Sequence, residues 1–257
     1  MGEATAVPAV RTLASPHESA RIGRPVERLT VPGGSDGSFA PVRAAIRESA
    51  ADVIVLRYPA ERVEWFAELL TTGRTALLAD SLVYWRLVAG RGRGAARTPG
   101  LWTGPLRDPG TAGALAAEIF AGYRNHYAAD PLFAACDARA GYADWARGSA
   151  AAGDCLALYG PGEGEPRAIG LVTVADDGPV TDILLAGVVP GERGRNRYAH
   201  LLAAVEERTR ARGATEVVIS TQGHNTGVQR AWARYGFEPV RTLLTVHLVR
   251  KGLIPSG

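Results

Sequence analysis

The hydrophobic positions of residues 183–212 change their spacing once, from that of a strand to that of a helix. From Ile183 to Val189 the apolar run is almost continuous, which is typical of a strand covered on both faces. Pro190 and Gly191 end this run, and apolar residues return at helical intervals from Leu201 onwards. The pattern predicts a buried strand, a tight turn and a long amphipathic helix.

The rest of the chain shows the same two spacings. Residues 53–58 and 75–88 predict strands on either side of a helix that ends at Gly73, and residues 39–51 predict a further helix. This first third of the chain is therefore a small α/β unit. After it, helices are predicted at residues 108–127, 139–151 and 226–235, and strands at residues 154–159, 167–175 and 216–221.

Composition divides the chain into three parts. Residues 1–25 are rich in Ala, Pro, Ser and Arg without periodicity, which predicts a disordered tail. Residues 26–100 predict the small α/β domain, and residues 101–257 predict a second domain. The stretch at 89–105 (AGRGRGAARTPGLWTGP) is rich in Gly, Pro and Arg, and it lacks the Gly-Lys-Ser/Thr ending of a phosphate-binding loop. We therefore interpret it as a linker at the domain boundary.

The turn after the buried strand places positive charge at the start of a helix. It contains Arg193, Gly194, Arg195 and Arg197. Unpaired backbone N–H groups at a helix N-terminus bind phosphates, and arginines strengthen such binding. An ordinary strand–helix corner with a solvated basic face would have the same spacing, so the spacing alone decides nothing.

The order of elements from Asp154 to Val249 resembles that of the GCN5-related N-acetyltransferase (GNAT) family. The turn residues Arg193 to Asn196 fall on the family consensus Arg/Gln-x-x-Gly-x-Gly/Ala, whose backbone holds the pyrophosphate of acetyl-CoA. The sequence departs from the family at Asn196, where Gly is preferred, and at Tyr198, where a small residue is usual. Asparagine adopts positive φ more readily than most residues, so Asn196 is the milder departure.

The resemblance implies an α/β chain of the α+β type with the GNAT fold, a mixed and mostly antiparallel sheet flanked by helices. It also implies an acyl-CoA-dependent N-acyltransferase in which a primary amine attacks acetyl-CoA directly. A backbone N–H near the end of the central strand would polarise the thioester carbonyl, the turn would bind the pyrophosphate, and an asparagine would bind the pantetheine arm. The implied cofactor-binding residues are Gly187, Val188, Val189, Arg193, Gly194, Arg195, Asn196, Arg197, Tyr198 and Asn225.

The catalytic acid and base are less well defined. The family usually places a tyrosine seven residues after the asparagine, to protonate the thiolate, and Trp232 occupies that position. An indole can donate a hydrogen bond but no proton near neutral pH, so Tyr235 is an alternative acid, unless it only packs in the core. His126 and Asp182 are candidate bases. His126 could instead bind the last carbonyls of a helix, and Asp182 could be a turn residue.

The small α/β unit in front of the acetyltransferase domain resembles the TDP-fucosamine acetyltransferase branch, which acetylates the 4-amino group of a nucleotide-linked deoxysugar. This likeness implies a small-molecule acceptor, either an amino sugar or its nucleotide conjugate. Two alternatives remain open. The first is a peptide or protein N-acyltransferase, and the second is a catalytically silent CoA-binding protein, which the departures at Tyr198 and Trp232 would favour.

Composition and residue spacing argue against nucleic-acid binding, a metal site and a membrane span. The net charge is +3, and outside the turn no basic block with interleaved aromatics predicts nucleic-acid binding. Cys136 and Cys155 do not space with the histidines as a zinc site would, so no metal is expected. No apolar run reaches the ~18 residues of a membrane span, and no secretory signal precedes the fold. We expect a cytoplasmic protein, and a homodimer remains open.

Overall fold

The computed structural model describes residues 10–32, 37–134, 138–162 and 164–254. The chain divides into two compact units. Unit 1 comprises the described residues of Met1–Leu82, Arg124–Cys136 and Arg241–Gly257, and unit 2 those of Val83–Tyr123 and Asp137–Val240. Each unit is described separately.

Unit 1 is built on strands in the order β1-β2-β3-β10-β4. Its elements are β1 (Arg11–Ala14), α1 (Pro16–Ile22), β2 (Val26–Thr30), α2 (Ala40–Glu48), β3 (Val53–Pro59), α3 (Trp65–Leu69) and parts of β4 (Arg74–Val88) and β10 (Glu238–Arg250). β2 and β3 are parallel, whereas β3 and β10 are antiparallel. Its core joins Trp65 and Leu69 of α3 with Leu56 and Tyr58 of β3 and with Val246 of β10.

Unit 2 contains strands in the order β4-β9-β8-β7-β6-β5. Its further elements are β5 (Trp102–Pro105), α4 (Pro109–Ile119), α5 (Ala138–Ala152), β6 (Cys155–Gly160), β7 (Arg167–Asp177), β8 (Val180–Val188), α6 (Tyr198–Ala211), β9 (Glu216–Gln222) and α7 (Thr226–Tyr235). β5 to β8 pair antiparallel, and β8 and β9 pair parallel. The predicted mixed, mostly antiparallel sheet with flanking helices is confirmed.

The buried face of α6 explains why this helix lies against the sheet of unit 2. Leu201, Leu202 and Val205 are buried, and they recur at the helical interval predicted from the sequence. Burial along β8 alternates, with Ile183 and Leu185 buried and Asp182, Leu184 and Ala186 half-buried. The face of β8 that carries Ile183 and Leu185 is therefore fully covered, and the opposite face, which was expected to be covered as well, is only partly covered.

Three predictions about the chain before residue 130 were also wrong. The described part of the predicted tail (1–25) forms β1 and α1, because Glu18 is buried in an ion pair with Arg28, 2.6 Å away. Residues 1–9 lie outside the described residues, as does Cys136. The linker contains β5, where Trp102 stacks on Tyr159 at 4.1 Å between ring centroids. The helix predicted at 108–127 ends at Ile119.

The predicted domain boundary near residue 100 does not coincide with the division into units. The described residues of 124–136 and 241–257 belong to unit 1, although the sequence placed them in the second domain. The reason is the strand pairing of β10, which joins β3 from Val249↔Val53 to Leu243↔Pro59 and buries Val246 and Leu248 there.

His126 belongs to a buried chain of hydrogen-bonding side chains in unit 1. The carboxyl of Asp130 accepts from Nδ1 of His247 at 2.8 Å, and Nε2 of His247 lies 2.8 Å from Nδ1 of His126. Burial, together with the charges of His247, Arg57 and Arg28, holds the pKa of His126 well below its usual value. His126 is therefore a neutral member of the interior of unit 1.

We expect the free energy of unfolding to fall as the pH drops below about 6.5, the ordinary pKa of histidine. The unfolded chain would bind a proton at His126 that the folded chain excludes, so stability is present above that pH and is lost below it. Urea denaturation between about pH 5 and 8 measures the slope. In His126→Gln the slope should become shallower, and an unchanged slope would contradict the assignment.

Two general features of the described residues complete the picture. None of their helices is long and apolar enough to cross a membrane. Within the same residues, no group of three or more His, Cys, Asp or Glu side chains is arranged to hold a metal ion.

Candidate active site

The turn between β8 and α6 leaves a row of backbone donors unused. Among the described residues, the N–H groups of Gly194, Arg195, Asn196 and Arg197 have no backbone acceptor. Gly194 and Asn196 both have positive φ, 76° and 58°, which turns the chain back on itself just before α6 begins at Tyr198. Asn196 thus adopts a conformation that asparagine tolerates better than most residues. Such a row of N–H groups at a helix N-terminus can bind an anion.

The three arginines of the turn differ in their contacts. Arg193 donates to the carbonyl oxygen of Ile119 at 2.7 Å, which fastens the turn to the end of α4. Arg197 lies 3.1 Å from the carboxylate of Glu192, whose charge the sequence analysis did not consider. The side chain of Arg195 is 62% exposed, and its guanidinium lies 3.6 Å from the carboxylate of Glu192, farther than that of Arg197. Arg193 and Arg197 are thus held in place, and Arg195 faces solvent.

The strands β8 and β9 separate beside this turn. Their pairing ends at Ile183↔Ile219, whereas β8 remains paired with β7 as far as Val188↔Gly170. The register between β7 and β8 shifts at Thr173 and Val174, close to the point where β8 and β9 separate. The last residues of β8 therefore expose one backbone edge to a gap.

The direction of the N–H groups along β8 follows from two hydrogen bonds. Those of Leu185 and Val189 point towards β7, since they donate to Thr173 Oγ1 at 3.1 Å and to the carbonyl oxygen of Ile169 at 2.9 Å. Successive residues of a strand alternate sides, so the N–H groups of Ala186 and Val188 face the gap. Val188 can therefore polarise a carbonyl there, and Val189 cannot.

A cavity of about 780 Å³ joins the gap to the turn, within unit 2. It is large enough for part of a cofactor-sized ligand. Eight of the ten residues predicted to bind the cofactor line it, and Val189 and Arg195 do not. The eight are Gly187, Val188, Arg193, Gly194, Asn196, Arg197, Tyr198 and Asn225.

Two of the lining residues make contacts within the protein that the sequence did not indicate. A Cβ atom added to Gly187 would lie 2.4 Å from Cγ2 of Ile119, so glycine is needed there because α4 approaches β8 closely. The sequence analysis had implied no such contact. Asn225 uses its side-chain amide to donate to Thr221 Oγ1 at 3.0 Å, which leaves its carbonyl oxygen as a hydrogen-bond acceptor at the cavity.

Tyr235 lines the cavity, but its hydroxyl is directed elsewhere. It donates to Oε2 of Glu206 at 2.6 Å, and burial together with this hydrogen bond raises the pKa of the phenol. The other carboxylate oxygen of Glu206 accepts from the N–H groups of Gly90 and Gly92. Tyr235 is thus part of a buried hydrogen-bond network, and the structure gives no support to its role as the acid.

The remaining catalytic candidates are not among the residues that line the cavity. Trp232 is 2% exposed, stacks edge-on against Trp85 at 6.1 Å, and donates its indole N–H to the hydroxyl of Tyr198 at 3.1 Å. His126 belongs to the interior of unit 1. Asp182 lies near the start of β8, four residues before the nearest lining residue of that strand, Ala186. Neither His126 nor Asp182 lines the cavity, and a role for either as the base stays a prediction.

An aromatic group beside the cavity was missed by the sequence analysis. Phe120 and Tyr123 line the cavity, and Tyr142 of α5 packs on both, with centroids 4.7 and 6.0 Å away. The Tyr123 hydroxyl donates to the side-chain oxygen of Gln222 at the end of β9. The helical spacing of Phe120 and Tyr123 was visible in the sequence, but it predicted a core position equally well.

Comparison with known proteins agrees with this geometry. Residues 120–237 match the model of the acetyltransferase (GNAT) family, and this stretch contains β8, the turn, α6, β9 and α7. The search of curated protein sequences found no significant match.

Several solved structures share the fold over most of the chain. A GCN5-related N-acetyltransferase from Sphaerobacter thermophilus has a TM-score of 0.63 at 13% identity, over 96% of this chain and 79% of that one. A tandem GNAT protein from the clavulanic acid biosynthesis pathway has a TM-score of 0.58 at 18% identity, over 91% and 77%. A GCN5-related glucosamine N-acetyltransferase region of a fungal β-N-acetylglucosaminidase has a TM-score of 0.58 at 13% identity, over 93% and 31%. The chain therefore has the GNAT fold.

Proposed function

We propose that this protein is an acyl-CoA-dependent N-acyltransferase that transfers an acetyl group to a primary amine of a small molecule. The observation that carries the proposal is a single cavity lined both by the exposed edge of β8 and by the turn with the unused N–H groups. A thioester needs a donor to its carbonyl, and a nucleotide cofactor needs an anion site at some distance from it. Both lie on this cavity.

The residues of the turn suit the pyrophosphate of CoA. Consecutive N–H groups from Gly194 to Arg197 can each donate to a phosphate oxygen, and Arg193 and Arg197 supply charge. Glu192 pairs with Arg197 in the structure, so binding of an anion would exchange one partner of this arginine for another. No metal is required by this arrangement, since charge and N–H donors are both available from the chain.

The exposed edge of β8 suits the acyl group. The N–H of Val188 faces the gap and can donate to the thioester oxygen, on which negative charge develops as the amine attacks. The described cavity residues include no histidine, and their only carboxylate is that of Glu192. We therefore infer that the amine enters in its neutral form and loses its extra proton to solvent.

For the acceptor we propose an amino sugar or a nucleotide-linked amino sugar. Phe120 and Tyr123 present aromatic surface and a phenol hydroxyl to the cavity, and Tyr142 packs on both rings; sugar rings favour such surroundings. The fungal region with the same fold is named as a glucosamine N-acetyltransferase, an acceptor of this class. Assignment to the TDP-fucosamine acetyltransferase branch stays a prediction.

Release of the CoA thiol from acetyl-CoA tests the acceptor. We expect turnover with a nucleotide-linked amino sugar and with the free amino sugar to exceed turnover with a peptide amine. Mass spectrometry of the products would show the added acetyl group. A preference for the peptide, or equal rates with all three amines, would contradict the sugar assignment, whereas no turnover with any amine would favour a CoA-binding protein without activity.

A further inference from the structure

The two positions that depart from the GNAT consensus are in contact. The indole N–H of Trp232 lies 3.1 Å from the hydroxyl oxygen of Tyr198. An indole nitrogen can only donate, so the phenol oxygen is the acceptor and Tyr198 keeps its own proton. Trp232 is itself held by its burial and by Trp85, which fixes the place of the phenol.

Tyr198 differs in this respect from the other phenols of the cavity. Three tyrosines line it: Tyr123, Tyr198 and Tyr235. Tyr123 donates to Gln222, and Tyr235 donates to Glu206. Among the described residues, none accepts the proton of Tyr198. It is therefore the one lining phenol whose proton is available to a ligand.

The surroundings of Tyr198 favour the protonated form of its phenol. Burial raises the pKa of its phenol, the hydrogen bond from Trp232 acts in the opposite direction, and the neighbouring Tyr123 raises it further. The group stays protonated at neutral pH. The N–H of Trp232 would stabilise the phenolate that forms when the proton leaves, because it donates to the oxygen that becomes charged.

We propose that Tyr198 is the catalytic acid that protonates the departing thiolate, with Trp232 as the residue that positions it. This inference rests on the proposed function. The amine nitrogen bonds to the thioester carbon, the carbon–sulfur bond breaks, and its electron pair leaves on sulfur. Sulfur takes the proton of Tyr198, and the phenolate regains a proton through water from the nitrogen, which sheds one as the amide forms. No further reactant is needed.

The test compares binding of CoA with binding of desulfo-CoA, which lacks the sulfur, by isothermal titration calorimetry at about pH 9, above the ordinary pKa of a thiol. This comparison needs no amine. A hydrogen bond to a thiolate should make the wild-type protein prefer CoA by about tenfold. Tyr198→Phe should bind desulfo-CoA as the wild type does and lose most of the preference for CoA.

Two further variants complete the design. Trp232→Phe keeps an aromatic ring without the N–H, and we expect it to reduce the CoA preference several-fold without changing desulfo-CoA affinity. Tyr58→Phe is the matched control, since the Tyr58 hydroxyl is buried in unit 1 with no described hydrogen-bond partner, and it should behave like the wild type. A wild-type preference retained in Tyr198→Phe would overturn this inference alone. A wild-type protein that binds neither compound would overturn the proposed function as well.

Discussion

Replacing Glu206 by alanine is expected to lower the free energy of unfolding by about 3–5 kcal/mol. The buried carboxylate accepts three hydrogen bonds, from the N–H groups of Gly90 at 2.6 Å and Gly92 at 2.8 Å and from the hydroxyl of Tyr235 at 2.6 Å. Alanine would leave all three donors unsatisfied, and each such group costs about 1–3 kcal/mol. Urea denaturation followed by circular dichroism measures the loss.

Glu206→Gln is the matched control for this substitution. Its amide oxygen can accept from both glycine N–H groups, and the hydroxyl of Tyr235 can rotate to accept from its amide nitrogen. We expect a loss of about 1 kcal/mol. If the alanine variant were as stable as the glutamine variant, the hydrogen bonds of Glu206 would not be what holds residues 90–92 and α7 in place.

The second large effect is expected on ligand binding. Gly194 has a φ of 76°, a conformation that a β-branched residue adopts only with strain of about 1–3 kcal/mol. A Cβ there would meet no atom within 4 Å, so valine would act through the backbone and not through a clash. We expect Gly194→Val to move the N–H groups of the turn and to weaken acetyl-CoA binding about 10- to 100-fold, as calorimetry would show.

Gly191→Val separates this effect from a general loss of the turn. Gly191 lies on the same turn, its φ is not in the positive region, and a Cβ there also meets no atom within 4 Å. It does not line the cavity. We expect acetyl-CoA affinity within about threefold of the wild type, a difference of less than 1 kcal/mol. Equal weakening by both substitutions would show that the conformation at Gly194 is not what matters.

The sequence predicted the framework of the site because local patterns determine it. The apolar run of β8, the glycine and asparagine of the turn, and the helical spacing of Leu201 and Val205 each act over a few residues. The resemblance to the family then implied which residues of that framework would bind acetyl-CoA. Hence most of the predicted cofactor-binding residues do line the cavity.

The catalytic candidates were not predictable in the same way, because their partners are far away in the sequence. Glu206 accepts a hydrogen bond from the hydroxyl of Tyr235, and His247 lies within hydrogen-bond distance of His126, more than a hundred residues away in the sequence. Neither contact can be predicted from the spacing of hydrophobic residues. The contact between Tyr198 and Trp232 is of the same kind, since the sequence shows two separate departures and only the fold joins them.

The division into units was hidden for a related reason. β10 was assigned to the second domain because it follows the acetyltransferase-like elements in sequence. Most of its residues pair with β3 in unit 1, an arrangement that strand pairing determines and hydropathy does not report. His126 was likewise named as a candidate base from its residue type, although the described residues of 124–136 belong to unit 1.

The central claim, that the cavity of unit 2 binds a CoA thioester, is tested most directly by calorimetric titration of acetyl-CoA. We predict one binding site per chain. The double variant Arg193→Ala/Arg197→Ala removes the two arginines of the turn that line the cavity, and we expect it to bind acetyl-CoA about 100-fold more weakly. The control Arg195→Ala changes a side chain that faces solvent, and we expect its affinity to stay within about threefold of the wild type. Absence of binding by the wild type, or equal binding by the double variant, would contradict the claim.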